Sequence, residues 1–175
     1  MSYTDVMIDI ETFDTTLDSV IVAISAVKFN LEGDSSLEIF YQNIGPISCQ
    51  KLGMTISQET VDWWKQRPKE VRDAIMRDQV PIHDGLTKLR QFLSDCTKET
   101  NFWANRIVFD YGNLENAFRR TGIACPWKYY QVYDVATVCK VACHDQRTTV
   151  RVGDYHNAKD DCLTQIKQMR EALEC

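Results

Sequence analysis

The chain has no hydrophobic run approaching the roughly 20 apolar residues of a membrane-crossing helix, so no membrane partner is expected. It has no basic n-region around Asp5, which argues against a secretory signal peptide and for a cytoplasmic protein. Internal repeats, low-complexity tracts and Gly/Ser linkers are missing too, so nothing marks a boundary and residues 1–175 read as one domain. Nor is there a basic excess: 20 Lys and Arg stand against 25 Asp and Glu, a net charge of −5. That argues against holding nucleic acid by bulk electrostatics. It leaves room for an enzyme that binds a few phosphates locally, because carboxylates that hold divalent cations are neutralised in the working protein.

There is no C-x-x-C pair either. The seven cysteines are an odd number scattered along the chain, and they read as reduced thiols. Cys139, Cys143 and His144 approach a zinc spacing, but no second cysteine pair completes a tetrahedral set. What remains is 44% hydrophobic and 26% charged, the balance of an ordinary soluble globular domain. Its length suffices to bury a real core.

Three apolar runs open the chain. Residues 5–11, 20–29 and 35–43 read as strands joined by short polar links, an antiparallel meander. The pattern then turns helical. Ser57 is a helix N-cap with Thr60 three residues on, Pro68 starts a helix to about Arg77, and Leu86, Leu89, Phe92 and Leu93 repeat at helical spacing within 81–96. Residues 101–105 form a candidate strand before a helix from Phe109 to Thr121. Residues 129–133 form another, and Asp134 caps the helix that follows. A last helix from Asn157 to Leu173 carries Ala158, Cys162, Ile166, Met169 and Leu173 as its apolar stripe. The sum is an α/β domain, a mixed sheet flanked by helices.

The segment V-M-I-D-I-E does not fit a plain buried strand. Alternate strand residues share a face, so Asp9 and Glu11 point one way while Val6, Ile8 and Ile10 point the other. Two like charges at the rim of a core repel, and desolvation raises the cost. Something cationic belongs between them.

Further acids stand out downstream: Asp110, where N-R-I-V-F-D passes into a helix, and Asp161, five residues after His156 in Y-H-N-A-K-D-D. D-x-E on a first strand, a mid-chain Asp, then H-x-x-x-x-D opening the C-terminal helix resembles the DnaQ-like DEDD exonucleases, with the histidine of the DEDDh branch. T-V-D-W-W-K-Q and Y-D-V-A-T also look like the phage and bacterial subgroup related to RNase T. The resemblance runs from residue 5 to about 170, and departs where Arg106 stands in place of the glycine that relatives often carry after the asparagine. It implies a ribonuclease H-like fold with a five-stranded sheet, and 3′→5′ release of nucleoside 5′-monophosphates from single-stranded DNA or RNA or from 3′ overhangs. It further implies homodimers.

Phosphodiester hydrolysis needs a nucleophilic water at neutral pH and charge relief on the leaving 3′ oxygen. Two Mg²⁺ or Mn²⁺ ions supply both, and such hard cations take oxygen ligands. On this reading Asp9 bridges both ions, Glu11 and Asp161 hold one, Asp110 serves the other, and His156 is the general base. Asp110 doubles as a candidate helix cap. Neighbours on a helix point about 100° apart, so Asp160 is read as a solvated acid, and His83 and His144 as structural.

For the substrate, Phe13 is a candidate to stack on a terminal base. Of Trp63 and Trp64 one is core and the other lines the groove, with Trp64 the candidate contact. Lys65, Arg67, Lys69, Arg147 and Arg151 are candidates to meet phosphates. A binding module that kept the fold without the chemistry is the alternative, although no ligand or base is missing. An endonuclease is a third reading, and a circular substrate separates it from the first.

Overall fold

The computed structural model describes residues 3–32 and 36–174. The expected strand start at Ser35 lies outside those residues. Strands β1 (Asp5–Thr12), β2 (Ile21–Phe29) and β3 (Glu38–Asn43) form the antiparallel meander. β4 (Asn101–Ala104) then pairs parallel to β1, and β5 (Val132–Asp134) parallel to β4. The sheet order β3-β2-β1-β4-β5 puts β1 at the centre.

β1 is covered on both faces, which explains why its sequence barely alternates in polarity. Val6, Ile8 and Ile10 join a core with Leu86, Leu89, Leu114 and Phe118, which come from α4 (Ile82–Phe92) and α5 (Ile107–Thr121). Met7 turns the other way, into a second core with Val27, Trp103, Cys162, Ile166 and Met169. The last three belong to α7 (Ala158–Leu173) and sit beside α6 (Val135–Val141). Asp9 and Glu11 share Met7's face and so look towards α7.

The helix ends follow the sequence signals closely. Ser57 accepts from the Thr60 amide to start α2 (Gln58–Lys65), Asp134 accepts from Thr137 at the head of α6, and Asn157 accepts from Lys159 and Asp160 at the head of α7. Pro68 precedes α3 (Lys69–Met76). A short α1 (Pro46–Gln50) has no counterpart among the expected elements: Pro46 supplies the helical φ of a first turn in a run too short to show periodicity. Residues 129–131 form a 3₁₀ turn where a strand was expected, and β5 keeps only its last two.

Three expectations need correction. α5 starts two residues early, at Ile107, and its cap is Arg106, so Asp110 lies inside the first turn and is not the cap. Arg106 takes the left-handed conformation, φ 66° and ψ 59°, a geometry that costs a residue with a Cβ about 1–2 kcal/mol. The position keeps the backbone shape glycine would supply, at the expense of strain. At the C-terminus Leu173 is exposed and Ala172 takes the buried place.

Candidate active site

The site forms where the end of β1, the start of α5 and the first turn of α7 meet. Carboxylate oxygens of Asp9, Glu11 and Asp161 lie within 4.8 Å of one another. Asp110 joins from α5, its Oδ1 accepting the Ile10 amide at 3.2 Å. Burial, aided by the other carboxylates, pushes the protonation of Asp9 and Glu11 well above the ordinary carboxylate range. Burial raises Asp110 to about 7, and the Ile10 amide pulls in the opposite direction. Acids held this closely and this deeply are a group that could hold a cation.

Two side chains offset part of the charge. Arg151 Nη1 lies 2.8 Å from Asp161 Oδ1, and Gln165 Nε2 donates to Asp9 Oδ1 at 2.8 Å. Gln165 is one helical turn beyond Asp161, so the i,i+4 spacing could have exposed it in the sequence. Tyr41 could not be found that way. The ladder sets Tyr41 beside Ser25 and Ser25 beside Asp9, a register invisible without the fold. The Tyr41 hydroxyl has no partner among the described residues, and burial, then Glu11 and Asp160, push its pKa up to about 12.

His156 sits on the loop before α7 with φ 62°. Its ring meets the edge of Trp63 at 4.6 Å between centroids and of Trp64 at 6.3 Å. Burial lowers its pKa from the ordinary 6.5; Asp161 pulls it up, and Arg67 and Arg151 push it down. The loop is clamped to α7. Asp160 is buried, and its Oδ2 accepts the Asp154 amide at 2.9 Å and leaves no room for more than a hydrogen on Gly153. Thr164 Oγ1 accepts the Val152 amide at 3.1 Å. The solvated acid expected at Asp160 is therefore a loop anchor. Its carboxylate is tolerated in the interior because Lys159 lies 3.3 Å away and the helix N-terminus favours negative charge.

Beside the carboxylates opens a cavity of about 640 Å³. Glu11, His156, Trp63, Trp64, Phe109 and Arg106 are among its lining residues. The tryptophans divide into one buried and one exposed ring: Trp64 is buried and its indole donates to the Thr12 carbonyl at 2.9 Å, while Trp63 presents the exposed ring. Both rings line the cavity, Trp63 as the more exposed of the two. Phe13 packs edge-on against Trp64, 6.3 Å between centroids. Lys65 pairs with Asp62, Lys69 with Asp73, and Arg67 stacks over Trp63. Arg147 points to solvent and pairs with Asp145, whereas Arg151 stacks on Tyr155 and reaches the cluster. His144 is a structural histidine, its Nε2 3.1 Å from Thr149 Oγ1. His83, contrary to expectation, is an exposed surface residue. The described cysteines are free thiols.

A central mixed sheet of this order, flanked by helices and carrying acids at the end of its middle strand, is the ribonuclease H-like exonuclease fold. S. pombe Pop2p in its Mg²⁺- and Mn²⁺-bound form superposes with a TM-score of 0.65 over 97% of this chain and 82% of its own, at 14% identity. The E. coli exonuclease I–ssDNA complex in its zinc-bound form gives 0.62 over 99% of this chain at 14% identity. This chain spans only 40% of that exonuclease I chain. Cell-death related nuclease 4 gives 0.55, at 15% identity, over 99% of this chain and 64% of its own. A comparison with curated proteins finds no significant match. Residues 4–173 match the 3′-5′ exoribonuclease Rv2179c-like domain, and the chain belongs to that family. No helix among the described residues is long and apolar enough to cross a membrane.

Proposed function

We propose that this chain is a metal-dependent 3′→5′ exonuclease of the DEDDh branch, trimming single-stranded RNA or 3′ overhangs to nucleoside 5′-monophosphates. The observation that carries the reading is the convergence of Asp9, Glu11 and Asp161 within 4.8 Å, with Asp110 behind them and His156 on the adjoining cavity wall. The family description favours RNA over DNA, although exonuclease I has been seen with a DNA oligonucleotide.

The donor set fits divalent cations. All four side chains are hard oxygen donors, and one guanidinium and one amide leave their charge incompletely offset. Asp9, Glu11 and Asp161 would hold the ions, two to a site, with Asp110 completing the set. Bound Mg²⁺ or Mn²⁺ supplies an activated water and charge relief at the leaving oxygen. The chain's own residues do the rest. His156, kept neutral by its lowered pKa, accepts the proton of the attacking water. The new P–O bond replaces the bond to the 3′ oxygen, which takes a proton from solvent. Trp63 holds the imidazole edge-on and Gln165 fixes the Asp9 carboxylate. The homodimer implied by the resemblance belongs to the same reading, and light scattering in solution tests it.

The decisive experiment is digestion of 5′-labelled RNA and DNA of matched sequence with Mg²⁺, with Mn²⁺ and with EDTA, beside Asp9→Ala. The expected result is a ladder shortening from the 3′ end, faster on RNA and absent with EDTA or the substitution. Intact strands under every condition would overturn the reading.

A further inference from the structure

Among the described residues, four that are not glycine have left-handed backbone: Asp78, Arg106, Cys143 and His156, at φ 47°, 66°, 57° and 62°. Arg106 and His156 line the same cavity. Such conformations persist where the surroundings enforce them, and they gather at functional sites. His156 has a role in the chemistry proposed above, whereas Arg106 has none yet.

The backbone of Arg106 is firmly held. Its amide donates to Asp134 Oδ1 at 2.7 Å, and the Ile107 amide reaches the same oxygen at 3.4 Å. This clasp sets the loop shape whatever side chain the residue carries, and glycine would adopt that shape freely. The side chain is a different matter. It is exposed, and among the described residues no ion pair holds its guanidinium, whereas Arg120, Arg147 and Arg151 are each paired with an aspartate. Among the described residues it is also the only Lys or Arg lining a cavity whose other charged walls include Glu11, Asp14 and Glu59. A polyanion entering that cavity finds in Arg106 a cationic partner set among those acids.

We propose that Arg106 is a substrate-binding residue whose guanidinium takes a backbone phosphate of the strand's terminal nucleotides. The planar fork of an arginine suits two phosphate oxygens at once. The inference rests on the exonuclease reading for the identity of the ligand, but binding alone tests it.

The test uses anisotropy of a 5′-fluorescein-labelled oligoribonucleotide, with His156→Ala in every protein to suppress cleavage. Arg106→Gly should weaken binding about fivefold, alike for different sequences. It should also flatten the plot of log Kd against log salt by about 0.7, the value of one phosphate contact on a single strand. Arg106→Lys should keep the salt slope and recover part of the affinity. Because glycine relieves the left-handed backbone, Arg106→Gly should melt no lower than the parent, so weaker binding cannot be put down to misfolding. Unchanged affinity and slope in Arg106→Gly would overturn the proposal, as would an equal loss in Arg106→Lys. A protein that binds as described yet never cuts would sink the exonuclease reading and leave this one standing. Cleavage by the wild type with Arg106→Gly binding normally would do the reverse.

Discussion

Replacing Asp110 by asparagine should make the metal-free protein more stable at pH 8 while destroying its activity. The substituted amide would keep an oxygen for the Ile10 N–H, which now bonds Asp110 at 3.2 Å, and would remove a charge that the fold disfavours. The folded pKa is raised from 3.8 to about 7. Below pH 4 the carboxyl is protonated in both folded and unfolded chains and carries no penalty. As pH climbs towards 7 the unfolded chain ionises freely and the folded one does not, so stability drains away. Above 7 the loss is complete, with a ceiling of roughly 4 kcal/mol. At about 2–4 °C per kcal/mol for a chain of this size, the variant should melt above wild type at pH 8 in EDTA, by up to roughly 8–16 °C if the ceiling is reached. At pH 4 the two should coincide. Adding Mn²⁺ should reverse the order, because the wild type then gains binding energy that the variant has lost. The assay is thermal melting by circular dichroism over pH 4–9, with and without Mn²⁺. A variant less stable than wild type at pH 8 in EDTA, or a difference independent of pH, would refute the reasoning.

Two further outcomes are expected. Gly153→Ala strains a φ of 63° and places a methyl 2.2 Å from Asp160 Oδ2, so it should unseat the loop, cut kcat by about tenfold or more and leave calorimetric Mn²⁺ affinity within about twofold. Equal losses of metal binding and turnover would show that the loop does not act through His156. Tyr41→Phe removes a buried hydroxyl without a partner among the described residues, which should hold or raise stability by about 1 kcal/mol in denaturant titration. A clear fall would show that the hydroxyl is bonded.

The strands and helices could be read because their signals are local. The apolar run of β1, the serine and aspartate caps of α2 and α6, and the stripe of α7 each depend on residues a few positions apart. The acids and His156 were legible through their order along the chain. Asp160 escaped the sequence reading because its neighbour already accounted for the helix face, and only the fold shows the loop folding back beneath it to Gly153. Tyr41 and the choice between Trp63 and Trp64 depend on sheet register and helix rotation. A one-residue slip in either would reverse the answer, and sequence spacing alone carries no such accuracy.

Helix α7 carries Asp161 of the carboxylate cluster, the Asp9 brace Gln165 and the loop anchor Asp160 within two turns. It therefore behaves as a single lever. Its fulcrum is Cys162, Ile166 and Met169, pressed against Met7 and Val27 of the sheet. A tilt about that fulcrum carries carboxylate, brace and anchor together and preserves their mutual distances. Damage at the fulcrum should consequently detune the whole site at once, with metal affinity and proton transfer failing in step, even though none of those three apolar side chains touches a reacting atom.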